Sequence, residues 1–243
     1  GSDTRFRTIT DALQAPEGPK PQADGSVIVC EMARGTLSRV RPNGSVEVIA
    51  ELGGAPNGVA IGPDGAAYVC NNGGFKFRRE GQRIIPSGPL DTPGPAGIQR
   101  VELRTGQAST LYRAIGDAPL RAPNDLVFDA GGGFWFTDPQ APFAGQQGTG
   151  TVNYARPDGR EIRVVCGLAG NNGIALSPDG RTLYVARTQA AEVVAFDVVA
   201  PGRVAVDDRG QPRSRVLGKL GESGFGFDSL AVDVAGNLIV GTL

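Results

Sequence analysis

An all-β fold is what this 243-residue sequence predicts, on three observations. It carries 37 glycines and 18 prolines, which interrupt helices and supply turns along its whole length. Its apolar residues fall in short alternating runs closed by Gly-bearing turns, the pattern of half-buried strands rather than of helices. One such hairpin recurs five times.

The turns and second strands of that hairpin read ADGSVIVCE (23–31), PDGAAYVCN (63–71), AGGGFWFTD (130–138), PDGRTLYVA (178–186) and VAGNLIVGT (234–242). Before the last four of them stand GVAIG (58–62), DLVFD (125–129), GIALS (173–177) and SLAVD (229–233), each a short apolar strand that completes the hairpin. A less apolar hairpin lies between copies, clearest in GTLSRVRPNGSVEVIAEL (35–52), in GIQRVELRTGQASTLYRA (97–114) and in GTVNYARPDGREIRVVCG, which ends at Gly167. An apolar hairpin near an axis followed by a polar one outside it is the signature of a β-propeller with four-stranded blades. An up-and-down barrel lacks this two-tier alternation. Residues 1–243 therefore read as one propeller domain of four nearly complete units and the inner half of a fifth. The leading RFRTITDAL (5–13) has strand character without a unit of its own, and is expected to close the ring against the last blade.

Composition removes several chemistries. A net charge of −1, 40% hydrophobic and 20% charged residues describe an ordinary globular chain, not a nucleic-acid-coating surface. No apolar run is long enough to span a membrane as a helix. Histidine is absent, so Ser-His-Asp and Cys-His catalysis and His-ligated zinc are excluded. Cys30, Cys70 and Cys166 form no CxxC pair, sit at or near the ends of apolar runs, and read as buried strand thiols. Gly1-Ser2 reads as a cloning remnant, and GSDTRFRTIT lacks a signal-peptide pattern; with the odd cysteine number this leans to a cytoplasmic protein, although localisation stays open.

In a four-stranded blade every first strand starts, and every second strand ends, on the same face of the disc. The residues just before the innermost strands then share the rim of the central channel: Asn57, Asn124, Asn172 and Asp228, with Glu17 at the matching point of the first unit. An Asn before Gly is by itself a turn residue. Five oxygen-bearing side chains at one repeat position point instead to a cation, because Glu17 and Asp228 forced together would repel unless neutralised. Two carboxylates plus carboxamides, with no soft ligand, suit Ca²⁺ first, with Mg²⁺, Mn²⁺ or Zn²⁺ as alternatives. The same topology brings two long connections to this face, residues 72–97 and PQAPFAGQQGTG (139–150), as walls of a substrate pocket. Arg78, Arg79 and Arg83 in the first of them either meet an anionic substrate or form a solvated basic loop.

EGP (17–19), PND (123–125) with FWFTDP (134–139), NNGIALSPDGRTLYVA (171–186) and FDSLAVDVAGNLIV (227–240) together resemble the SMP-30/gluconolactonase/luciferin-regenerating-enzyme family, from about residue 15 onward. The resemblance implies a six-bladed propeller with a divalent metal in its channel. Carried over by position, it implies Glu17, Asn172 and Asp228 as metal ligands, Asn124 at the metal or on the substrate, and no essential role for Asn57. Members of that family continue past the strand matching LIVGTL to finish a fifth blade and build a sixth, whereas this sequence ends at Leu243. A truncated chain, further residues outside this sequence, or closure with fewer blades are the alternatives. An unclosed ring would leave strand edges open to self-association.

The expected activity is metal-dependent hydrolysis of lactones or similar small esters. The cation polarises the carbonyl; without histidine the base must be a carboxylate, the resemblance makes that Asp228 by placing it at the metal, and Asn124 is a second catalytic candidate. The alternative is a non-catalytic, metal-stabilised propeller that binds or regulates. Redox or lyase chemistry finds no Gly-rich dinucleotide fingerprint after a strand. The expected partner is a small lactone or ester, with neither nucleic acid nor membrane.

Overall fold

The computed structural model of the chain describes residues 7–92, 94, 96–140, 149–220 and 226–242. Among these residues every regular element is a strand. The first sheet is an antiparallel meander of β1 (Pro16–Pro21), β2 (Val27–Glu31), β3 (Thr36–Val40) and β4 (Val46–Glu51). The second begins with β5 (Pro56–Ile61) and β6 (Ala67–Asn71). A separate hairpin, β7 (Phe75–Glu80) and β8 (Arg83–Pro89), is inserted before β9 (Gly97–Val101) and β10 (Ala108–Tyr112) complete it. A short ribbon, β11 (Ala114–Ile115) with β12 (Ala118–Pro119), leads to the third sheet: β13 (Leu126–Phe128), β14 (Phe134–Asp138), β15 (Thr151–Ala155) and β16 (Ile162–Gly167). The fourth holds β17 (Asn171–Leu176), β18 (Thr182–Arg187), β19 (Glu192–Ala200) and β20 (Arg203–Val204), with β21 (Ser214–Lys219) also paired to β19. The hairpin β22 (Phe227–Val232) and β23 (Leu238–Thr242) ends the described chain. This is the sequence of inner and outer hairpins that the repeat implied.

Period-two alternation builds the core between sheets rather than inside one. In β14, Phe134 and Phe136 pack with Tyr68, Ile98 and Leu126 toward the second sheet. Trp135, between them in sequence, packs with Tyr154, Ile174, Leu183 and Phe196 toward the fourth. All three β14 aromatics are 0% exposed, and burying side chains of this size contributes about 1.5–3 kcal/mol each. Ile28, Leu37, Val59 and Val69 join the first and second sheets, and Ala175, Val193, Phe227 and Leu230 join the fourth to the last hairpin. The innermost strands touch in chain order, β1 on β5, β5 on β13, β13 on β17 and β17 on β22, as the radial packing of a β-propeller requires.

The leading segment behaves differently from the expectation. Residues 5 and 6 lie outside the described residues, and residues 7–13 form no strand and pair with neither β22 nor β23. Thr8, Ile9, Thr10 and Leu13 instead face Val27, Val29 and Val40 of the first sheet across an apolar cavity of about 430 Å³. The Ala12 carbonyl is taken by the Arg34 guanidinium (2.9 Å). The first sheet is the nearest apolar surface in sequence, and the segment settles there. No sheet among the described residues closes on itself.

Candidate functional site

The innermost strands share one irregularity. Register against the second strand slips between Glu17 and Lys20, between Pro56 and Val59, between Asn171 and Ile174, and between Phe227 and Leu230. Each slip sets two residues against one, a bulge that lifts Asn57–Gly58, Asn172–Gly173 and Asp228–Ser229 out of the ladder and re-aims their side chains. Glu17 immediately precedes the bulge in β1. In the third unit Asn124–Asp125 occupies the same place, directly before β13. Asn57, Asn172 and Asp228 thus stand at the same point of their bulges, Glu17 one residue ahead of its bulge and Asn124 just ahead of β13, all five half-buried.

Small residues beside them let neighbouring strands approach. A Cβ on Gly58 would lie 2.5 Å from Asp125 Oδ1 and 2.6 Å from the Asn124 carbonyl oxygen; one on Gly173 would lie 2.5 Å from the Leu230 nitrogen. Only glycine permits backbone contact of this kind. Gly58 N–H accordingly donates to the Asn124 carbonyl at 2.7 Å, joining the second sheet to the third.

The charges at this place are unbalanced. Burial first, then repulsion from Asp228 and Asp125, lifts the Glu17 carboxyl to about 7, against a weaker opposing hydrogen bond from Gly18 N–H. Burial likewise raises Asp228, and a hydrogen bond from the Asn172 side chain partly offsets it. The same Asn172 carboxamide donates to Thr188 Oγ1 at 3.1 Å. Asp125 is 8% exposed and raised by burial, with Lys20 pulling it back. Its carboxylate accepts from Leu126 N–H (2.9 Å) and, across to the fourth sheet, from Ile174 N–H (3.2 Å). Glu17, Asn172, Asp228 and Asp125 are thus electrostatic or hydrogen-bonding neighbours. Asn124 joins them through its backbone, and the Asn57 carbonyl packs on Gly18. Among the described residues no three thiol or carboxylate side chains gather as a metal-binding group.

A second set of polar residues, with Glu31, Asn71 and Asp138 buried and Arg187 part-exposed, grips the segments that deliver the rim. Gln14 N–H donates to Glu31 Oε1 (3.0 Å) and Ala55 N–H to Asn71 Oδ1 (3.1 Å). Arg121 and Ala122 N–H both donate to Asp138 (3.0 Å each), and Arg187 Nε donates to the Ala169 carbonyl (2.9 Å). Each grip comes from the last residue of a second strand and takes hold two or three residues before Glu17, Asn57, Asn124 or Asn172.

Of the two long connections, residues 72–97 carry the β7–β8 hairpin, whose exposed Arg78 pairs with Glu80 (2.7 Å) and Lys76 with Asp91 (2.7 Å). Arg79 and Arg83 are exposed, so this is a solvated basic hairpin in the described state. Most of residues 139–150 lies outside the described residues.

Residues 15–243 match the SMP-30/gluconolactonase/LRE-like region. The chain belongs to that family. Its match takes in every rim residue from Glu17 to Asp228. Among similar proteins, the lactonase drp35 of Staphylococcus saprophyticus is 32% identical over 183 residues, covering 73% of this chain and 49% of that protein. The gluconolactonase of Zymomonas mobilis is 26% identical over 237 residues, 88% of this chain and 58% of its own length. The chain thus spans about half to three fifths of these relatives. A Xanthomonas campestris gluconolactonase structure superposes with a TM-score of 0.74 at 24% identity, over 96% of this chain and 71% of that one. The calcium-binding protein regucalcin of Agrobacterium tumefaciens superposes at 0.69 and 16%, over 97% and 70%. These two structures establish the propeller fold for this family member.

Reading the sequence alone passed over Asp125, Lys20 and the four gripping residues. The grips had a signal: VIVCE, AYVCN, FWFTD and LYVAR each end an apolar strand on a polar or charged residue. Asp125 stands where the other copies carry glycine or serine, a departure visible once the copies are aligned.

Proposed function

We propose that the chain is the propeller of a metal-dependent lactone hydrolase, with Glu17, Asn172 and Asp228 holding a divalent cation and Asn124 at the cation or the substrate. The observation that carries this reading is the Glu17 carboxyl lifted to about 7 by burial and by Asp228 and Asp125. Carboxylates assembled against their own repulsion, with only carboxamides and one lysine to offset them, form a hard-oxygen donor set that fits Ca²⁺ best. Relatives named lactonase and gluconolactonase support the substrate class.

A divalent cation bound there supplies polarisation of the lactone carbonyl and stabilisation of the developing oxyanion. Asp228 accepts the proton of the attacking water, since the sequence has no histidine to do so. The hydroxyl adds to the acyl carbon, the ring C–O bond breaks, and the proton passes to the leaving alkoxide, giving a hydroxy acid. Asn172 holds Asp228 by its hydrogen bond and so keeps the base oriented. The β7–β8 hairpin walls the pocket.

The test is a screen of simple aldonolactones with and without EDTA. Turnover that EDTA abolishes and Ca²⁺ restores is the expected result. EDTA-sensitive stability with no turnover of any lactone would leave a cation-locked binding propeller instead.

A further inference from the structure

We propose that Thr137 is a positioning residue that couples Asn124 to Asn172 across the boundary between the third and fourth sheets; this rests on the lactonase reading of the rim. Thr137 is 0% exposed, after the aromatic run of β14 and before the gripping Asp138. A hydroxyl buried this deeply must be matched by partners. It is matched twice: Thr137 Oγ1 accepts from Asp125 N–H (3.2 Å) and donates to the Asn172 carbonyl (2.6 Å). The Thr137 backbone also holds this segment, its carbonyl accepting from Asn124 N–H (2.9 Å) and its N–H donating to the Asp125 carbonyl (3.0 Å). The Asp125 carboxylate adds the bond to Ile174 N–H (3.2 Å), so Asn172 and Gly173 are fastened to the third sheet on both sides.

The repeat shows that this hydroxyl is particular to one copy. At the position of Thr137 the other second strands carry Cys30, Cys70, Ala186 and Gly241, none with a hydroxyl. The third unit is also the one whose inner strand pairs without a bulge, starting only at Leu126. Where a bulge sets the rim residue elsewhere, the third unit places Asn124 by the Thr137 bonds. Loss of the hydroxyl frees the Asn172 carbonyl and the Asp125 N–H together, and the spacing of two rim side chains loosens with them.

The experiment uses the whole chain and compares Thr137→Val, which keeps the shape and removes both bonds, with Thr137→Ser, which keeps them. Calorimetric titration with Ca²⁺ well below the melting midpoint is expected to show about tenfold or weaker binding in Thr137→Val. Thr137→Ser should stay within about threefold of wild type, and kcat should fall in the valine variant with KM changed less. Wild-type Ca²⁺ affinity in Thr137→Val, or equal impairment in Thr137→Ser, overturns the proposal. If valine prevents folding, Thr137→Ala, which leaves room for water, serves the same comparison. Should wild type itself bind no Ca²⁺, the lactonase reading falls, and amide exchange at Ile174 decides the coupling: faster exchange in Thr137→Val supports it and unchanged exchange overturns it.

Discussion

The carboxylate of Glu17, near the start of the chain, and that of Asp228, near its end, repel each other, and this repulsion is second only to burial in lifting Glu17 to about 7. They lie more than two hundred residues apart in sequence, and the fold brings them together at a standing electrostatic cost.

That cost has a sign in pH. A carboxyl raised in the folded state binds its proton more tightly there than in the unfolded chain, so cation-free stability falls as pH rises from about 4.5 toward 7 and levels off above it. The loss from Glu17 is at most about 3 kcal/mol, reduced by solvent screening at a half-buried group. Melting in EDTA from pH 5 to 8 should show the decline, and Glu17→Gln should flatten it. A melting point independent of pH in wild type would mean that the two carboxylates do not share one site.

Glu17→Ala and Asp228→Ala are each expected to abolish tight Ca²⁺ binding while raising the melting point in EDTA, because each removes one of the charges that repel. Asn57→Ala should be much milder. Calorimetric titration alongside melting separates the two effects, and wild-type affinity in either carboxylate variant would remove that residue from the cation site.

Asp138→Ala leaves the N–H groups of Arg121, Ala122 and Gln140 without their acceptor. The expected cost is about 3 kcal/mol in urea denaturation, with lactone turnover lost at temperatures where the fold persists. A midpoint matching wild type would mean that water replaces the carboxylate without penalty.

Replacing residues 78–90 by a short Gly-Ser linker should leave Ca²⁺ affinity nearly intact while shifting relative kcat/KM among lactones of different ring size or charge. The hairpin pairs within itself, from Phe75 with Pro89 to Glu80 with Arg83, so its removal spares the ladder of the second sheet. An unchanged substrate ranking would place the hairpin away from the pocket.

The repeat made the sheets legible, because hairpin turns and period-two alternation are local signals that copies reinforce. It also singled out Glu17, Asn124, Asn172 and Asp228 as members of one repeat position. The bulges escaped notice: a slip of register depends on the partner strand, and NG or DS in isolation reads as a turn. Asp125 escaped because a buried carboxylate bonded to Ile174, 49 residues away, has no local signature. The leading segment was misjudged because β propensity in RFRTITDAL says nothing about whether an open strand edge or a nearby apolar face is the better partner.

Glu31, Asn71, Asp138 and Arg187 each tie down a segment delivering a residue of their own sheet. Four of the five rim segments are therefore anchored within their own unit, and the bonds from Thr137 and Asp125 to the fourth sheet are added to that anchoring. The side chain at that position can therefore differ from unit to unit, as Glu17, Asn57, Asn124, Asn172 and Asp228 already do, while the grip holding its segment stays. The lineage of such a protein can explore new chemistry by local edits, and an engineer can do the same by transplanting a single copy together with its grip.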